Sequence, residues 1–92
     1  LFVLGSTSEV IFHDDAVRRR LLDHAVAQVR GRVPIFAGGS DPTTERVIGH
    51  ARAAKAAGVD AIVVTAPFYT RTNQAETIDH FRYVRAAVDI PV

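Results

Sequence analysis

The sequence VPIFAGG, residues 33–39, is a continuous apolar run that ends on two glycines. Similar apolar runs occupy residues 1–4, 61–65 and 90–92, at intervals of about 30 residues. Runs of this length without polar alternation are typical of strands buried on both faces. The intervals leave room for one helix between successive strands, so the pattern predicts alternating strands and helices.

Three helices are predicted in the intervals. The first ends at Gly31, a residue type favoured just after a helix. The second covers roughly residues 43–57 and ends at Gly58; it begins either at Asp41, with Pro42 in the first helical position, or at Thr43. The third covers roughly residues 74–88 and begins with a capping box. That capping box is formed by Asn73 and Glu76.

Each predicted helix carries apolar side chains with helical spacing, which indicates one face turned towards a sheet. The predicted inward residues are Val17, Leu21, Ala25, Val26 and Val29 in the first helix, Val47, Ile48, Ala51 and Ala54 in the second, and Ile78, Phe81, Val84 and Val88 in the third.

Strands that alternate with one-sided helices predict the α/β class, with a parallel sheet covered by helices. A (β/α)8 TIM barrel has this repeat over about 250 residues, so residues 1–92 would supply about three β/α units and a following strand. A doubly wound sheet gives the same local pattern. Both termini fall within apolar runs, and we therefore expect an internal fragment of a single domain, marginally stable on its own.

The composition excludes several kinds of function. The chain has no cysteine and a formal net charge of +1, and its basic cluster at residues 18–20 is flanked by aspartates, so we expect no nucleic-acid partner. No apolar run reaches the length of a membrane span, and a cytoplasmic location is expected. His24, His50 and His80 fall within predicted helices and His13 precedes the first, without ligand spacing, so no metal or other cofactor is expected.

In either architecture a ligand would lie at the carboxyl ends of the strands. The first run is followed by GSTSE, residues 5–9, here named the hydroxyl turn. Hydroxyl and amide donors in such a turn can bind a carboxylate or phosphate, or they can satisfy the turn's own backbone. The second run ends on Gly38 and Gly39, which predict a turn that keeps the mouth of a barrel open.

The third run is followed by APFYTR, residues 66–71. A tyrosine at this rim, Tyr69, is either a proton donor or an aromatic anchor at an interface. The acidic residues elsewhere in the chain are predicted to stabilise the fold and not to take part in a site. Asp14, Asp15 and Glu45 favour helix N-termini, and Asp60 and Asp89 precede strands.

Together these motifs resemble the family of dihydrodipicolinate synthase and N-acetylneuraminate lyase, aldolases that hold pyruvate as a Schiff base. The family has Gly-[Ser/Thr]-Thr-Gly-Glu after its second strand, where this chain has GSTSE. It has [Arg/Lys]-Val-Pro-[Val/Ile] at its third strand, matched by RVPI at residues 32–35. Its fourth strand ends in Pro-[Phe/Tyr]-Tyr, matched by PFY at residues 67–69, and DIPV at residues 89–92 resembles the start of its fifth.

The resemblance implies a carbon–carbon or carbon–oxygen lyase acting on pyruvate or another 2-keto acid. It implies that Thr7 and Ser6 bind the substrate carboxylate, that Ser6 also joins a proton relay, and that Tyr69 reaches across a tight interface into the partner subunit's relay. A homo-oligomer, dimer or tetramer, follows from it. The Schiff-base lysine and a second tyrosine would lie beyond Val92, so the fragment alone would be inactive.

Two features keep alternatives open. Ser8 stands where the family has glycine, and serine there would be strained if the position needs positive φ. The hydroxyl turn also fits a sugar-phosphate barrel without a Schiff base, and the chain could be a non-catalytic scaffold. Ser6 and Phe68 look like the sialic acid lyase, whereas Tyr69, with the residues after it, is similar to dihydrodipicolinate synthase.

Overall fold

The computed structural model describes all residues, 1–92. Three short strands form one parallel sheet in the order β1 (Phe2–Val3), β2 (Phe36–Gly38) and β3 (Ala61–Val63). Three helices follow them in turn, α1 (Asp15–Val29), α2 (Thr44–Ala57) and α3 (Gln74–Ala87). The predicted α/β class is confirmed, and the chain forms three consecutive β/α units.

The helix ends follow the predicted signals. Asp14 caps α1, and its carboxylate accepts a hydrogen bond from Val17 N at 2.8 Å. Thr43 rather than Asp41 caps α2, which settles the two alternatives for its start. The capping box at the start of α3 is present in both directions. Gly58 ends α2 with a φ of 92°, a conformation that glycine adopts without strain.

The strands are shorter than the apolar runs. Because Pro34 has no N–H and the Ile35 amide donates to the Asp60 carboxylate at 2.7 Å, ladder pairing in β2 starts only at Phe36. This contact confirms the structural role predicted for Asp60. In the last apolar run, Pro91 O accepts a hydrogen bond from Ile62 N at 2.9 Å, and no strand is formed there.

The two faces of the sheet differ in burial. Val3, Ala37 and Ile62 are paired across the three strands and lie on the face that the helices cover. On the other face Phe2 is 54% exposed and Phe36 is 46% exposed. In a closed barrel this second face is the packed interior.

The prediction that Leu21 and Ile78 face inward is wrong. Leu21 and Ile78 are both 42% exposed, while Arg18 and Leu22 in α1 and His80 in α3 are buried. The buried stripe of α1 is displaced by one residue because the Arg18 guanidinium has polar partners beneath the helix. Most other predicted core positions are confirmed, with Val47, Ala51, Ala54, Val84 and Val88 buried.

Candidate functional site

The hydroxyl turn leaves two of its three hydroxyls free. Residues Ser6–Ser8 form a single 3-10 turn directly after β1. Ser8 Oγ donates to the Gly5 carbonyl at 2.7 Å, so this hydroxyl satisfies the turn's own backbone. The hydroxyls of Ser6 and Thr7 make no hydrogen bond within residues 1–92, and both residues are exposed. The turn therefore offers two adjacent donors to an external acceptor.

The strain considered for Ser8 is not present. The residue of the turn with positive φ is Glu9, at 57°, and Ser8 lies in the 3-10 turn with an ordinary backbone. Glu9 N donates to Ser6 O at 3.0 Å and closes that turn. The substitution of serine for the family glycine is therefore compatible with the backbone of this turn.

The two glycines at the end of β2 lie where a side chain would collide with neighbouring residues, and Gly38 belongs to the strand and not to the predicted turn. Gly38 is the last residue of β2, and a Cβ there would lie 1.9 Å from Leu4 O. A Cβ on Gly39 would lie 2.5 Å from Ile62 Cδ1. Gly39 N donates to Val63 O at 2.9 Å and extends the pairing beyond the strand. Glycine is thus required at Gly38, where a Cβ would meet backbone, whereas at Gly39 the Ile62 side chain would have to shift.

The end of β3 is held from two sides. Thr65 N donates to Ser40 Oγ at 3.1 Å, and Thr65 O lies 3.2 Å from His80 Nε2. Because a carbonyl oxygen only accepts, His80 Nε2 carries the proton and Nδ1 accepts from Thr44 Oγ1 at 2.9 Å. His80, only 2% exposed, is thereby satisfied at both ring nitrogens. The sequence analysis placed His80 in a helix and missed this role.

The rim segment, residues 65–71, leads away from that fixed point. Phe68 is 39% exposed, and Tyr69 is 98% exposed with a φ of 77°. A bulky residue in the left-handed region is uncommon and strained. Tyr69 therefore projects from the rim, where its ring has almost no contact with the chain that carries it.

A cleft of about 580 Å³ opens at the carboxyl ends of the strands. Its lining includes Ser6, Ser40, Thr65 and Phe68 together with apolar side chains from β1 and β3. Of the three predicted site residues, Ser6 lines the cleft, whereas Thr7 and Tyr69 do not. Within this chain the structure brings Ser6 to the cleft, and Thr7 follows it in the same exposed turn.

Beside the cleft lies a charged group that we name the arginine cluster, in which Arg18 and Asp41 are buried, His50 is partly buried and Arg46 is exposed. Asp41, 5% exposed, accepts from Arg46 Nε at 2.9 Å and lies 3.0 Å from His50 Nε2. Arg18 Nη1 lies 2.8 Å from His50 Nε2 and 3.7 Å from Asp41 Oδ2. The cluster joins α1 to α2 and to the segment after β2.

The same contacts set the ionisation of Asp41. Burial alone would raise the pKa of this carboxyl, but hydrogen bonds from His50 and Arg46 and their charges outweigh it and lower the pKa below its ordinary value. Asp41 is therefore ionised over the ordinary range of pH. Sequence reasoning missed this cluster, and the only available signal was an arginine at helical spacing from Leu22 and Val29 in a stripe that otherwise reads as apolar.

Consecutive parallel β/α units with exposed hydroxyls at the carboxyl end of a strand are the arrangement found in segments of (β/α)8 barrels. A sequence model described as the Dihydrodipicolinate synthetase family matches residues 1–92. The chain belongs to the dihydrodipicolinate synthetase family.

Curated relatives match over the whole chain. A DapA-like lyase from Halobacterium salinarum is 37% identical over 92 residues, which are 100% of this chain and 30% of the relative. The 4-hydroxy-tetrahydrodipicolinate synthase of Macrococcus caseolyticus is 36% identical over 92 residues, 100% of this chain and 31% of that protein. The chain thus spans about 30% of the length of these relatives.

Solved structures agree with the family assignment. YagE from E. coli K12, a prophage protein of the dihydrodipicolinic acid synthase family solved in complex with pyruvate, superposes with a TM-score of 0.95 at 33% identity. The match covers 100% of this chain and 31% of YagE. The dihydrodipicolinate synthase of Agrobacterium tumefaciens gives a TM-score of 0.93 at 33% identity over 98% of this chain and 30% of that one. No helix of the structure has the length and apolar character needed to cross a membrane.

Proposed function

We propose that the protein carrying this chain is a Schiff-base lyase or aldolase acting on pyruvate or another 2-keto acid. Residues 1–92 would supply the part of a single TIM-barrel domain from its second strand to the start of its fifth. The observation that carries the proposal is the pair of unbonded hydroxyls at Ser6 and Thr7, at the mouth where barrel enzymes bind substrate. The pyruvate complex of YagE supports the same substrate class.

Ser6 and Thr7 have complementary tasks in this proposal. The Thr7 hydroxyl and amide would hold the carboxylate of the 2-keto acid, which aims its ketone carbon at the nucleophile. Ser6, which lines the cleft, would hydrogen-bond into the proton relay. An anion bound by such donors needs no cation in the site, because charge-assisted hydrogen bonds to a carboxylate are strong.

The nucleophile has to come from outside these residues. The single lysine of the chain, Lys55, lies in the last turn of α2 and pairs with Asp89, at the end of the units opposite the hydroxyl turn. A lysine elsewhere in the barrel would attack the ketone, and the resulting iminium would accept the electron pair when the next carbon–carbon or carbon–oxygen bond is broken or formed.

Tyr69 would complete the relay of a neighbouring subunit. Its ring is almost fully exposed and its backbone is held in the left-handed region, which suits a side chain whose environment is supplied by another molecule. The proposal therefore includes a homo-oligomer with shared active sites, and the cytoplasmic location stays a prediction.

The proposal is tested by borohydride trapping of the complete protein with pyruvate. We expect a mass increase of one reduced pyruvate per subunit, located by peptide mapping on a lysine outside residues 1–92. Samples without pyruvate and without borohydride are the controls. Absence of an adduct, together with binding of inorganic phosphate to the hydroxyl turn, would overturn the Schiff-base assignment in favour of a phosphate-binding barrel.

A further inference from the structure

The loop that carries the hydroxyl turn is tied to the protein by one buried arginine. Arg18 Nη2 donates to Val10 O at 3.2 Å, and Arg18 Nε donates to His13 O at 3.3 Å. Arg18 is 7% exposed, although it carries a full charge. An arginine is rarely buried to this degree unless its donors are used.

The two carbonyls that Arg18 binds are linked to the hydroxyl turn by backbone hydrogen bonds. Glu9 N donates to Ser6 O at 3.0 Å, Phe12 N donates to Glu9 O at 2.9 Å, and His13 N donates to Val10 O at 3.1 Å. The two 3-10 turns, Ser6–Ser8 and Val10–Phe12, therefore form one continuous bonded segment. Holding Val10 and His13 consequently limits the movement of Ser6.

Arg18 is itself paired with Asp41, which Arg46 and His50 hold in place. His50 and Asp41 lie on the third side of the guanidinium, at 2.8 and 3.7 Å from Nη1. These two residues belong to α2 and to the segment after β2, elements whose core residues Val47 and Ala51 are fully buried. The guanidinium thus links the loop after β1 to the well-packed second β/α unit.

We propose that Arg18, paired with Asp41, is a positioning residue that keeps the hydroxyl turn in the conformation that binds the substrate carboxylate. This inference rests on the function proposed above and names a residue that would touch no substrate. If the loop loses this anchor, only a fraction of molecules present Ser6 and Thr7 correctly, and the apparent affinity falls by that fraction.

The test compares Arg18→Met with Arg19→Met in the complete protein. Both changes remove one arginine from the same turn of α1, but Arg19 is exposed and pairs only with Asp23 at 3.6 Å. The Kd of pyruvate and the yield of borohydride trapping at saturating pyruvate are measured below the melting temperature of every variant. For Arg18→Met we expect a Kd raised by about tenfold or more, with trapping at saturation close to wild type. For Arg19→Met we expect neither to change.

Arg18→Lys keeps the buried charge but cannot reach both carbonyls with one ammonium group. We expect Arg18→Lys to raise the pyruvate Kd to an intermediate value, and it serves as the test variant if Arg18→Met fails to fold. An unchanged Kd in a folded Arg18 variant, with only a lower melting temperature, would show that the arginine serves stability alone and would overturn the inference. Failure of the wild type to trap pyruvate would instead overturn the proposed function, so the two failures are distinguishable.

Discussion

The loops after β1 and β3 leave the same edge of the sheet but are held in different ways. The loop after β1 is tied through Val10 and His13 to a buried arginine, and the exposed hydroxyls of its turn are close to that anchor. The rim segment after β3 is hydrogen-bonded at its base, at Thr65, and carries the almost fully exposed Tyr69. The hydroxyls of the first loop are thus held by contacts within the chain, whereas the ring of Tyr69 has almost no contact within residues 1–92.

Both loops stand on the parallel sheet, which the rest of the barrel would complete. Removing the rest of the barrel should therefore have the largest effect on both loops. The isolated 92 residues expose Phe2, Phe36 and Val63 on the open face of the sheet. We expect the isolated chain to associate or aggregate, because strand edges and an apolar face are both unpaired.

Analytical ultracentrifugation and thermal melting of the isolated chain check this prediction. A Phe36→Ser variant, which reduces the open apolar face while leaving the helix-covered face intact, should associate less. A cooperative melt of a monomeric wild-type chain would contradict the prediction and would mean that the loops can be studied without the barrel.

Loss of the Tyr69 hydroxyl should have the next largest effect. In the complete protein Tyr69→Phe keeps the ring and removes the hydroxyl, and turnover should fall by about 10²- to 10⁴-fold, as for the loss of an acid–base group. The matched control is Tyr83→Phe, since Tyr83 is an exposed tyrosine on α3 away from the strand ends. If Tyr69 is only an interface anchor, Phe should leave turnover unchanged, and Ala should lower turnover together with the association state.

Mixing subunits decides whether Tyr69 acts across an interface. A Tyr69→Phe subunit is combined with a subunit that lacks the Schiff-base lysine. A mixed dimer then has one site with both defects and one site with neither, so activity should reappear. No recovery, with mixed dimers confirmed by mass spectrometry, would place Tyr69 in its own subunit's site or in none.

Several parts of this contrast could be predicted from the sequence, and others could not. Local signals predicted the strands, the capping box of Asn73 and Glu76 and the hydroxyl turn, because each depends on neighbouring residues. The burial of Arg18 and His80 was not predicted, because it depends on carbonyl groups that only the fold brings beside them, those of Val10 and His13 for Arg18 and that of Thr65 for His80. Apolar periodicity treats both as solvent-facing, and for that reason it placed Leu21 and Ile78 inside.

Asp41, which pairs with Arg18, should make the free energy of unfolding depend on pH. The folded-state pKa of Asp41 lies below its ordinary value, so its contribution to stability is complete above a pH of about 4 and is lost as the pH falls through the lower folded-state value. Asp41→Asn should lower the free energy of unfolding by about 3 kcal/mol near neutrality, as expected when one partner of a buried ion pair is removed.

Denaturant melts of the complete protein between neutral and strongly acidic pH check this prediction. The difference between wild type and Asp41→Asn should shrink in acid. Asp23→Asn is the control, because Asp23 is exposed and pairs only with Arg19 on the same helix. A difference between wild type and Asp41→Asn that does not depend on pH would mean that the carboxylate charge is not what stabilises the cluster.

The most direct measurement of the central claim is the affinity of the complete protein for pyruvate after Thr7→Val. Removing one hydrogen bond to a charged group should weaken binding by about 10- to 150-fold, while Thr7→Ser, which keeps the hydroxyl, should stay close to wild type. Ser8→Ala should also leave the affinity unchanged, since the Ser8 hydroxyl donates to Gly5 O. An unchanged pyruvate affinity for a folded Thr7→Val protein in calorimetric titration would contradict the assignment of the hydroxyl turn as the carboxylate site.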